Sequence, residues 1–321
     1  MTMADDAVTL VAVLPARPLA SLTELVTTAA GAGVRAVMVA LAGPAARAAR
    51  LPFELADFAA GAPGPESSLS RPDVDALLAA ARTQGVELVM SVTDDEALAR
   101  VSGVPLAVLH LPAAALLDLP LVRGAAGAGV PLWLDTAMAS IEEVAEAVAA
   151  ALKVGGRVLL LHGLATAPGR PDEINLRALA TLNQRFRLPV GFQARDAAPA
   201  VATASVALGA TVLAVPFSDD GREGFDAAGL AALHADVRLV ARALGDGDKR
   251  VQPSEWAVRD RTHRSLVARV DIARGRALTE DMLAISRPGI GLKPRAAAGV
   301  IGRRATVDIP AGTLITLGML E

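Results

Sequence analysis

The chain has 321 residues, enough for one large domain and one small one without covalent staples. It contains no cysteine, which excludes disulfides, zinc-thiolate centres and thiol catalysis and is compatible with a reducing compartment, the cytoplasm being the default. Its net charge of −3 favours no partner by itself, and with no tyrosine and 2% aromatic residues it has no base-stacking platform, so nucleic acid is not an expected partner.

No basic-then-apolar leader opens the chain, so no signal peptide is expected. Eight apolar, β-rich runs follow, at 8–14, 36–42, 86–92, 106–111, 131–137, 157–163, 189–194 and 211–217. Alanine- and leucine-rich segments of helical spacing come after nearly every run, as at 140–152 and 174–186. Continuous apolar strands alternating with amphipathic helices predict an α/β fold with a parallel sheet buried on both faces, and eight such units fit a (β/α)8 TIM barrel. A doubly wound open sheet is the competing architecture, and the lack of a Gly-x-Gly-x-x-Gly turn after the first run counts against it. The connection 43–71, rich in Pro, Gly and Ser, reads as a surface excursion. Residues 197–218 carry no charge, but Pro199, Gly209 and Pro216 interrupt them, so a helix and a strand are expected there and no membrane span.

The polar stretch 244–260 reads as a linker between a barrel at 1–243 and a terminal module at 261–321. From Arg259 to the C-terminus there are 11 Lys or Arg against 6 Asp or Glu, which leaves 20 against 28 for the rest. A basic module is thus tethered to an acidic one, a charge split suited to docking on the barrel of its own or a partner chain. Two short apolar strands are expected in the module, Ser265–Ala268 and Ala305–Val307. Each precedes an Asp-Ile pair and a Gly turn (Asp271-Ile272 with Gly275, Asp308-Ile309 with Gly312), an internal echo. Between them Arg287-Pro288-Gly289-Ile290-Gly291 forces an exposed turn that presents Arg287.

This module resembles, nearly position for position, the antifreeze-like (SAF) domain that closes sialic acid synthases. The barrel resembles the same family at Ser140-Ile141-Glu142-Glu143-Val144, Leu160-Leu161-His162, Val190-Gly191 and Ala207-Leu208-Gly209-Ala210. The resemblance implies condensation of phosphoenolpyruvate with an N-acylated hexosamine, with a divalent metal at the strand ends, to make nonulosonic acids. In that family the arginine of Arg-Pro-Gly reaches a neighbouring chain's barrel and its sugar. Arg287 is therefore a candidate substrate contact, and a homodimer formed by exchange of the SAF domain is the expected assembly.

The strand ends depart from the family pattern. Its Glu and Asn after the first strand are Val13 and Arg17, its strand-two lysine is Met38, its strand-four lysine is His110 and its strand-eight lysine is Val215. Its metal-binding histidines are Arg195 and Pro216, and a phosphate-binding hydroxyl is Asp135, which would repel phosphate. The three lysines, Lys153, Lys249 and Lys293, lie at no barrel strand end, leaving Arg17 and Arg195 as the basic candidates there, with Ser91 and Thr136 as hydroxyl candidates. One other constellation is open: His110, Asp135 and His162 end adjacent strands and have the residue types of a two-His-one-carboxylate metal site, or else cap their strands by hydrogen bonding. Three functions stay open: a catalytically degenerate relative acting by binding a sugar or sugar acid or as the heteromeric partner of an active synthase; an active synthase with a rebuilt site; and different chemistry on the same scaffold.

Overall fold

The computed structural model describes residues 8–42, 69–222 and 224–321. Eight strands close into a parallel barrel in chain order: β1 (Thr9–Val13), β2 (Ala36–Leu41), β3 (Glu87–Val92), β4 (Val108–Leu111), β5 (Leu132–Asp135), β6 (Val158–Gly163), β7 (Val190–Gln193) and β8 (Val212–Pro216). Closure runs through β1 and β8, with Thr9 beside Val212 and Val13 beside Pro216. The (β/α)8 architecture rather than the open sheet is thus the fold. Around the barrel lie α1 (Leu19–Gly31), α2 (Arg71–Thr83), α3 (Asp95–Val101), α4 (Leu119–Ala126), α5 (Ile141–Lys153), α6 (Ala178–Phe186), α7 (Pro199–Ala207) and α8 (Ala227–Leu244). The excursion expected at 43–71 falls largely outside the described residues.

Local chemistry sets the helix starts. In α5, Ser140 Oγ accepts the Glu143 N–H at 3.2 Å while the Glu143 carboxylate accepts the Ser140 N–H at 2.7 Å, a reciprocal box that satisfies two of the helix's orphan donors. Asp94 caps α3 by accepting the Ala97 N–H at 2.8 Å, so the acidic run at 94–96 marks a helix start. The helix expected over 174–186 begins only at Ala178, because Asn175 sits at φ 48°, a left-handed conformation no helix accommodates. Residues 197–218 divide into α7 and β8, and among the described residues no helix is long and apolar enough to cross a membrane.

Alternate residues of each strand point into the barrel, where Val11, Met38, Val89, Val108, Trp133, Leu161 and Val212 pack together, while the other face meets the helices. Gly191 is required inside: a Cβ there would lie 2.7 Å from both the Leu161 side chain and the Val212 carbonyl.

The chain divides after Gly245, with Asp246–Glu321 forming a second unit. The stretch 244–260 is more structured than a linker. A 3-10 turn at Pro253–Glu255 leads into α9 (Trp256–Thr262), started by the Glu255 carboxylate on the Gln252 N–H at 2.8 Å. Polarity suggested a linker because α9 has no buried residue. Further on, β9 (Ser265–Ala268) pairs antiparallel with β10 (Leu283–Ser286), and α10 (Ala297–Val300) helps to cover a core of Leu266, Ile272, Leu278, Leu283, Ile309 and Ile315.

The echo in the sequence is a reciprocal lock. Ile272 and Ile309 exchange backbone hydrogen bonds at 2.9 and 2.8 Å. Asp271 accepts the Ala311 N–H at 2.8 Å and Asp308 accepts the Arg274 N–H at 2.7 Å. The second expected strand, Ala305–Val307, is reduced to isolated bridges of Arg304 with Ala277 and of Ala305 with Leu320. The lock holds that stretch in place without a ladder.

Candidate active site at the barrel mouth

The C-terminal strand ends open on a cavity of about 480 Å³, lined by Val13, Met38, Ala40, Ser91, His110 and Pro112, with Gln193 and Arg195 on the β7 side. The lining has two halves. From β1 and β2 come aliphatic side chains, and from β3, β4 and β7 come polar ones.

Strand register builds the polar half. Ser91 pairs with His110 across β3 and β4, and both point inward at one level, so Ser91 Oγ lies 2.8 Å from His110 Nδ1. On the far side of the ring, His110 Nε2 and Gln193 Oε1 are both buried without a hydrogen-bond partner. His110 is 2% exposed, and burial first, then the Arg195 charge, lower its pKa from the usual 6.5 to about 3, while weak hydrogen bonding to the Gln193 amide, short of a complete bond, acts the other way. At neutral pH the imidazole is therefore uncharged, and a base this weak does not activate Ser91 as a nucleophile.

The second polar element is an ion pair. Asp135, with no exposure, accepts a hydrogen bond from Arg195 Nη2 at 2.8 Å and one from the Ala137 N–H at 3.0 Å. Arg195 Nε donates to the Leu164 carbonyl at 3.1 Å, so the guanidinium is clamped between two acceptors. Burial pushes the Asp135 carboxyl up from its ordinary range, and Arg195 is the largest influence opposing that rise.

The trio His110, Asp135 and His162 is not assembled. Leu159 and Leu161 of β6 face the barrel interior, so His162 between them and Gly163 faces the helix layer, where its Nε2 donates to the Ile174 carbonyl at 2.8 Å. Its ring also lies 6.4 Å from that of Phe192. No group of three His, Cys, Asp or Glu able to hold a metal occurs among the described residues. The divalent metal that the resemblance implies does not fit this mouth, since its ligand positions are held by an ion-paired arginine and a proline.

The other candidates are dispersed. Thr136 faces the helix layer with His162, and its hydroxyl donates to the Leu161 carbonyl at 2.9 Å. Arg17 is exposed beyond the end of β1. Arg287 is exposed on the second unit, on a turn held by Ser265, whose hydroxyl donates to the Pro288 carbonyl at 2.7 Å and accepts the Gly291 N–H at 2.9 Å. Ser91 and Arg195 do line the cavity. Sequence reasoning missed Gln193 and the Asp135–Arg195 pair. The available signal was a lone carboxylate at a buried strand end, which needs a cation from another strand end.

Comparison with known proteins agrees with this architecture. The NeuB family pattern matches residues 65–249 and the SAF domain pattern matches residues 263–321. The N,N'-diacetyllegionaminic acid synthase of Legionella pneumophila is 26% identical over 265 residues, spanning 79% of this chain and 74% of that one. Human N-acetylneuraminate-9-phosphate synthase is 28% identical over 202 residues, 60% of this chain and 56% of its own length. Among solved structures, the putative spore coat polysaccharide biosynthesis protein E of Chromobacterium violaceum superposes with a TM-score of 0.79 over 98% of this chain and 99% of that one, at 18% identity. The sialic acid synthetase of Leptospira borgpetersenii gives 0.71 over 79% and 90%, at 19% identity. A closed eight-stranded barrel ending in an SAF domain, with both patterns matched along the sequence, places the chain in the NeuB family, homologous to the sialic, legionaminic and pseudaminic acid synthases.

Proposed function

We propose that this chain is a NeuB-family protein of nonulosonic acid metabolism that works by binding a sugar or sugar-acid ligand, or by pairing with an active synthase, and does not itself condense phosphoenolpyruvate with an N-acylated hexosamine. The observation that carries this reading is the Asp135–Arg195 pair at 2.8 Å. Arg195 is the charged residue among those lining the mouth cavity, and its charge is already answered by a buried carboxylate.

Holding a doubly charged phosphate requires several convergent cations or donors, and each lost preorganised electrostatic group costs about 10²- to 10³-fold in rate. Here Met38, His110 and Val215 stand where the resembled synthases place lysines. Losses of this kind are strongly non-additive, yet together they leave little turnover. The open cavity and its two unpartnered polar atoms support retention of a binding role. The intact SAF module supports a homodimer by SAF exchange, or the corresponding heteromer, with Arg287 as the exchanged contact.

The test is phosphate release from phosphoenolpyruvate in the presence of manganese and N-acetylmannosamine or related hexosamines. No turnover is expected. A rate near the common enzyme scale of about 1 per second would overturn the reading in favour of a synthase with a rebuilt site.

A further inference from the structure

Asp135 is held as a bound anion would be. One oxygen accepts the Ala137 N–H, the other accepts Arg195 Nη2, and the Ala113 amide also favours its charged form. Ala113 follows β4 and Ala137 follows β5, so backbone donors from two neighbouring strand ends and one guanidinium converge on the same carboxylate. Convergent amides with an arginine make a site for an oxyanion, and here the chain supplies the occupant from its own side chain. His110 Nε2 and Gln193 Oε1, both on uncharged groups nine-tenths or more buried at the same cavity, complete no hydrogen bond, and what the ring receives on that side is a weak interaction with the Gln193 amide.

We infer that Asp135 is the specificity-determining residue of the mouth. Its carboxylate fills the place an anionic ligand group would take on Arg195, so the cavity turns anions away and accepts an uncharged hydrogen-bonding ligand seated on His110 and Gln193. An incoming anion would meet a guanidinium already neutralised and a carboxylate of like charge beside it. An uncharged ligand presenting a donor and an acceptor can bridge His110 and Gln193, whose interaction with each other falls short of a full hydrogen bond, and its apolar face meets Val13, Met38 and Ala40. This rests on the binding role proposed above and narrows its ligand to the uncharged sugar, excluding the sugar acid, which is an anion at neutral pH.

The experiment uses the full-length protein, Asp135→Asn, and the double variant Asp135→Asn with Arg195→Gln. Inorganic phosphate and pyruvate serve as anionic probes in calorimetry, and acetamide serves as an uncharged probe of the His110 ring and Gln193 amide resonances. The wild type is expected to show no anion binding above the detection limit, Asp135→Asn to bind both anions about ten- to a hundredfold more tightly than that limit, and the double variant to lose that gain. Acetamide is expected to move both resonances of the wild type saturably. Should Asp135→Asn fail to fold, Asp135→Ser takes its place, and the wild-type measurements stand whichever variant folds. Phosphate binding to the wild type, a folded Asp135 variant without gain, or resonances indifferent to acetamide would each overturn the inference. Turnover by the wild type in the condensation assay would instead remove the function proposed above, so the two failures are distinguishable.

Discussion

The barrel mouth and the C-terminal unit use polar side chains in opposite ways. In the C-terminal unit Asp271, Asp308 and Ser265 each bond to backbone of a distant segment. They replace regular ladders where the sheet is reduced to two strands and scattered bridges. In the mouth the strands are paired by backbone ladders, and the inward polar groups bond mainly among themselves and to the loops that follow the strands. Ser91 bonds to His110 and Asp135 to Arg195, that pair also ties down loop backbone at Ala137 and Leu164, and two atoms, on His110 and Gln193, make no hydrogen bond. Buried polar groups that serve no ladder are costly, and the binding role proposed above rests on them.

The strongest way to break this contrast is Arg195→Ala. It strands the Asp135 carboxylate, and losing one partner of a buried pair costs about 3 kcal/mol. For a barrel of this size that lowers the melting temperature by roughly 6–12 °C. Adding Asp135→Asn to the same protein should recover most of the loss; a single variant that melts with the wild type would show the pair to be incidental.

A second test sharpens the contrast through pH. The folded pKa of His110 is depressed to about 3 from 6.5, so below 6.5 the unfolded chain takes up a proton that the folded chain refuses. Stability linked to His110 is complete above that value and is lost as pH falls, by about 1.4 kcal/mol per unit until about pH 3. Asp135 runs the other way, since a carboxyl raised by burial is relieved as it protonates. The quantity to measure is therefore the difference between wild type and His110→Gln in urea unfolding across pH 4 to 8. Parallel curves would mean that the imidazole is not held neutral.

The smallest effect belongs to the C-terminal lock. Asp271→Ala and Asp308→Ala should each cost about 1 kcal/mol and match each other, because the two carboxylates do the same task on opposite sides of the Ile272–Ile309 bridge. Unequal losses by differential scanning calorimetry would show the echo to be one of sequence alone.

The barrel was legible because strands buried on both faces read as unbroken apolar runs, and eight of them are countable. That same continuity hides which face each residue takes. His110 and His162 end their strands alike in the sequence, yet one points to the cavity and the other to the helices, so the three-residue metal reading joined groups on opposite sides of the wall. Asp135 read as a defect, an anion where phosphate would have to sit, because its partner lies 60 residues away, just after β7. In the C-terminal unit the Asp-Ile echo was visible, but three residues of strand-like character at Ala305–Val307 do not make a ladder without a neighbour in register.

The turn that carries Arg287 is tied at three points: Ser265 bridges Pro288 and Gly291, the Gly289 N–H bonds to the Asp260 carbonyl at 2.7 Å, and the Lys293 ammonium reaches the Gly289 carbonyl. A loop so fastened has little backbone freedom left to lose when a partner surface meets it. Immobilising a flexible contact costs about 0.5–1.5 kcal/mol per side chain, with backbone ordering added. Arg287 therefore brings its charge to any encounter with most of the ordering done in folding, and association through it should be limited by the arginine side chain alone.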